Sequence, residues 1–174
     1  MRNKALTISI LLHSLLLVAV YVLQGVIFPF LRVGGFVPLL LPVATAGIAL
    51  YEGRDTGGIT GFFAGILCDV SFNQPVGAFT VLLTFSGLII GAFADALVMK
   101  GFVTYYVSCG VILVVSAFVQ MFPLVVLQNI PPQVLIGTAI QQTIFSLIFA
   151  FPVWFFVRAL GVRADRVSSS GRTL

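Results

Sequence analysis

Charge is what this sequence has least of. Nine lysines and arginines and five acids make up 8% of its 174 residues, against about 25% in an ordinary soluble domain. So few charges cannot cover a water-facing surface of this size, which excludes a water-soluble globule. Histidine occurs once, at His13, and cysteine twice, at Cys68 and Cys109. Neither cysteine has the C-x-x-C spacing of a metal or redox site, and both stand in apolar runs, where they read as small buried hydrophobes. No Walker motif, nucleophile elbow or paired-histidine site is present, so the groups for catalysis are missing and no enzyme, cofactor or metal is expected. The net charge of +4 needs no nucleic acid to explain it.

What fills the chain instead is apolar: 60% of the residues are hydrophobic. Polar or turn-rich breaks divide it into six segments: Ala5–Leu23, Phe36–Tyr51, Gly57–Phe72, Gly77–Met99, Phe102–Leu127 and Val134–Val157. The runs are continuous, where barrel strands would alternate every second residue, and lipid admits only helices or closed barrels. The expected fold is therefore an all-α integral membrane bundle of six transmembrane helices. The second and third segments are short beside the roughly 20 residues a crossing needs. No small-x-small cleavage site precedes Gln24, so the first segment reads as a retained span. Residues 1–160 are expected to form one membrane domain, and residues 161–174 a basic, disordered cytoplasmic tail in contact with anionic headgroups.

Six spans put both termini on one side. That side would hold Arg2, Lys4, Arg54, Lys100, Arg158, Arg163, Arg166 and Arg172, and the other only Arg32. Eight against one makes it the cytoplasmic side. The turn "YEGRDTGG" is the one inner loop of mixed charge, and its Glu52, Arg54 and Asp55 are expected to neutralise one another.

The third segment carries an internal pattern. Gly57, Gly61, Gly65 and Asp69 recur every four residues, which on a helix makes one slowly drifting stripe. Small residues at that spacing let a second helix approach closely, and in lipid such packing drives association. The fourth segment echoes it with Gly87, Gly91 and Asp95. These seven residues are the candidate site, as helix-packing positions or as contacts for a partner's span. Asp69 falls near the outer end of its span and is expected to cap the next turn or reach interfacial water. Asp95 falls near the inner end of the next span and is expected to pair with Lys100. Acids inside spans are functional candidates by default, so a proton or ion carrier resting on the two stays open as a minor reading. His13, Gln120, Gln141 and Gln142 are expected to hydrogen-bond between helices. Pro123 and Pro152 are expected to kink the last two spans and Pro131-Pro132 to open the sixth.

The stretch from about Pro38 to Gly91 resembles the rod shape-determining protein family MreD. The residues carrying the likeness are the proline-led second span "PLLLP", the charged turn before "GG", then "GFFAGILCD", and "PVGAFTVLL" after a loop. The last two spans are similar only in hydropathy. The resemblance implies a fold like that of the substrate-binding subunits of energy-coupling-factor transporters. It implies a non-enzymatic scaffold in the bacterial inner membrane that binds the single-span protein MreC. It further implies work with the elongation machinery that builds peptidoglycan and maintains rod shape. The fold relation raises an alternative, a vitamin-binding transporter subunit with a polar pocket in its outer half. The short outer loops, and the lack of an A-x-x-x-A pattern in the first span, favour the scaffold.

Overall fold

A computed structural model describes residues 13–27, 38–72, 77–97, 101–128 and 132–169, and within them every regular element is helical, with no strand. In chain order the helices are α1 (His13–Val26), α2 (Leu40–Glu52), α3 (Arg54–Phe72), α4 (Ala78–Leu97), α5 (Phe102–Gln128) and α6 (Pro132–Ser169). Helix α1 closes in a π-helical turn, Leu23–Ile27. Three stretches, Ala78–Ala96, Phe102–Gln120 and Ile136–Arg158, are long and apolar enough to cross a membrane.

Helix α2 is the axis of the molecule. Every residue from Leu40 to Leu50 is buried, as expected of a helix hydrophobic on all sides. Helices α3, α4, α5 and α6 all pack on it. At 13 residues it is about 20 Å long, short of the roughly 30 Å hydrocarbon core. Its first turn, at Leu39, Leu40 and Leu41, is buried, where each bare backbone N–H is costly.

Those donors are all accounted for. The Leu39 N–H donates to Ser146 Oγ of α6 at 2.9 Å. The Leu40 and Leu41 N–H groups both donate to Gln24 Oε1 of α1, at 2.9 and 3.1 Å. Pro42 has no N–H to satisfy, and from Val43 onward the helix's own ladder takes over. Helix α1 presents one buried stripe, His13, Leu17, Val20 and Gln24, spaced four, three and four apart as a helical face requires. It is pinned to α2 at both ends, since His13 Nε2 lies 3.7 Å from Glu52 Oε1.

One expectation is corrected. The charged turn between the second and third segments narrows to Gly53 alone, at φ +89°, a left-handed backbone that favours glycine. Arg54 and Asp55 belong to the first turn of α3, and Glu52 Oε1 lies beside His13. An acid in a helix's first turn is stabilised by the positive end of its dipole, which favours starting α3 there. Helix α6 runs on past residue 160 to Ser169. Alanine and arginine are strong helix formers, and no proline interrupts that stretch. Helix α6 also passes through Pro152, and α5 passes through Pro123.

Candidate functional site

The glycine stripes of α3 and α4 face each other. A Cβ added at Gly57 would come within 2.7 Å of the Gly87 carbonyl oxygen and 2.6 Å of Ala49 Cβ on α2. One added at Gly61 would strike the Leu83 carbonyl, at Gly65 the Thr80 backbone, and at Gly87 the Gly57 carbonyl. At Gly91 it would lie 2.5 Å from Arg54 Cα. The pairs 57 with 87, 61 with 83, 65 with 80 and 91 with 54 define one antiparallel register. At these glycines backbone meets backbone from Arg54 to Gly65 of α3, and at Gly57 the contact extends to a third helix.

The two acids close this pair at its opposite ends. Asp69, 7% exposed, accepts four hydrogen bonds from the start of α4. Gly77 N–H donates to Oδ2 at 3.0 Å, Phe79 N–H to Oδ1 at 2.9 Å, and Thr80 N–H and hydroxyl to Oδ2 at 3.2 and 2.6 Å. A carboxylate at a helix N-terminus satisfies otherwise bare donors and meets the positive end of the dipole. Asp95 returns the arrangement. Its Oδ2 accepts from Arg54 N–H at 3.0 Å, at the first residue of α3. Each helix thus ends in the acid that caps the other's beginning. Lys100, the partner expected for Asp95, lies outside the described residues.

The remaining candidates scatter. His13 meets Glu52. Gln141 is exposed, and Gln120 Nε2 is buried without a hydrogen-bond partner. Gln24 and Ser146, which the sequence reading did not single out, supply hydrogen bonds between helices. Tyr105 and Tyr106 add to them, donating through their hydroxyls to the carbonyls of Ala150 at 3.2 Å and Leu147 at 2.7 Å. Cys68 and Cys109 are free thiols, both buried. Arg32, the "NQP" loop and Pro131 lie outside the described residues. Among the described residues, no group of three or more His, Cys, Asp and Glu side chains is placed to hold a metal ion.

Comparison with models of known protein families gives no match, and neither does comparison with curated proteins or with solved structures.

Proposed function

We propose that this chain is a non-enzymatic membrane scaffold of the bacterial cell-wall elongation machinery. It crosses the inner membrane six times with both termini in the cytoplasm. It binds an MreC-like single-span protein and so helps maintain rod shape. One observation carries the reading: the stretch that resembles MreD, Pro38 to Gly91, is the stretch that builds α2 and the α3–α4 contact. The glycines and the acid of "GFFAGILCD" are occupied in joining helices, which supports a molecule that works by shape. Arg158 lies over Trp154, which bonds Tyr51 three residues before Arg54 in the chain, so the two arginines lie at the same end of the bundle, which supports the proposed orientation. Since the glycine ladders are filled by each other, a partner's span would lie on outward faces such as that of Phe62, Phe63, Phe85 and Phe93.

A vitamin-binding transporter subunit is the second reading, and one observation favours it. Gln24 Nε2, Ser116 Oγ and Gln120 Nε2 are buried without hydrogen-bond partners, and such groups call for water or a ligand. Purifying the tagged protein in mild detergent from its native membranes separates the two. Recovery of a single-span wall-elongation protein is the expected result. Recovery of an ATPase module with a shared membrane subunit would replace the scaffold with the transporter.

A further inference from the structure

The end of the bundle that carries Arg54 has an aromatic and basic platform which the scaffold reading leaves unused. Trp154 of α6 donates its indole N–H to the Tyr51 hydroxyl of α2 at 3.0 Å, and Phe102 of α5 packs edge-on against it at 5.1 Å. The indole is therefore held by two other helices. One turn further on, the Arg158 guanidinium lies 5.0 Å from the ring centroid. Stacking on an indole orients a guanidinium and leaves its N–H edge open to a planar or tetrahedral anion.

Arg158 is exposed and makes no ion pair among the described residues. Two acids at this end have partners of their own: Glu52 lies beside His13 and Asp95 takes the Arg54 amide. Arg158 also marks the place where the apolar stretch of α6 stops, while the helix continues to Ser169. Those 11 further residues extend about 16 Å. They carry Arg163 and Arg166 against a single acid, Asp165. Trp and Tyr favour the headgroup level of a membrane, so the platform sits where phosphates are.

We propose that Trp154 and Arg158, braced by Tyr51, form a binding site for the phosphate of one anionic phospholipid headgroup. The guanidinium grips the phosphate oxygens, and the indole fixes the guanidinium in place.

Native mass spectrometry of the full chain tests this, with the protein released from mixed micelles of phosphatidylglycerol and phosphatidylcholine. Phosphatidylglycerol should stay bound preferentially. Arg158→Gln should reduce that preference about fivefold, the equivalent of about 1 kcal/mol for one basic group at the surface. Trp154→Phe should reduce it less, and Arg54→Gln, at the same end, should leave it unchanged. Should Arg158→Gln fail to fold, Arg158→Lys keeps the charge without the fork and should give an intermediate loss. Equal retention of the two lipids overturns the site. So does an equal loss on Arg54→Gln, which would mean diffuse charge. Retention of inorganic phosphate alone, or of an acidic polypeptide removed by Arg158→Gln, overturns the lipid assignment.

Discussion

Asp69 accepts four hydrogen bonds, all from the first turn of α4. Its role is therefore testable by shape against charge. Asp69→Ala should lower stability in detergent by about 2 kcal/mol, in the range for hydrogen bonds to a charged group. Asp69→Asn should lose less, because asparagine also caps helix starts. Thermal unfolding followed by circular dichroism checks both. The glycines give a second contrast. Gly61 has the Leu83 carbonyl where a methyl group would go, and Gly110 has nothing within 4 Å. Gly61→Ala should destabilise by about 1–3 kcal/mol, the usual penalty for forcing a packed contact apart. Gly110→Ala should be neutral or stabilise by up to about 1 kcal/mol through helix propensity. The same unfolding measurement reads both.

Helix α2 poses the problem of a short element whose first turn is buried, and Gln24 resolves most of it. Only its oxygen is used, since Nε2 has no partner. Gln24→Leu should strip two buried N–H groups of their acceptor, each worth about 1–3 kcal/mol. Gln24→Glu keeps an oxygen there and should be milder. Ser146→Ala, which removes the acceptor of a single amide, that of Leu39, should fall between them. Hydrogen exchange at Leu40 and Leu41 should accelerate in Gln24→Leu and not in Ser146→Ala. The stripe of Gly57, Gly61, Gly65 and Asp69 was legible in the sequence because helical spacing is local, and so was its echo at Gly87, Gly91 and Asp95. The partners were not. Asp95 reaches Arg54, 41 residues away, through the antiparallel register of two helices, whereas Lys100 was merely near in sequence. Gln24 read as the end of a span because nothing local says that a second helix starts beside it.

At the scale of the whole molecule, polar side chains are engaged mainly in joining helices. Asp69 and Asp95 cap the α3–α4 pair, Gln24 and Ser146 hold α2, and His13 fastens α1 to Glu52. Outward faces are left apolar, with Phe62, Phe63, Phe85, Phe93, Phe118 and Phe155 all exposed. Contact between the two glycine ladders is the central claim, because α2 packs against both of their helices and the functional reading depends on their being filled. Paired cysteines test it most directly. A Cβ at Gly58 would lie 3.0 Å from Leu88 Cγ, so cysteines at these two positions come within the span of a disulfide. In native membranes, and with Cys68 and Cys109 replaced by alanine, Gly58→Cys with Leu88→Cys should form an intramolecular disulfide on mild oxidation. Ile59→Cys with Ile89→Cys, both exposed, should not. Crosslinking of the Ile59 and Ile89 pair with none at Gly58 and Leu88 would contradict the account.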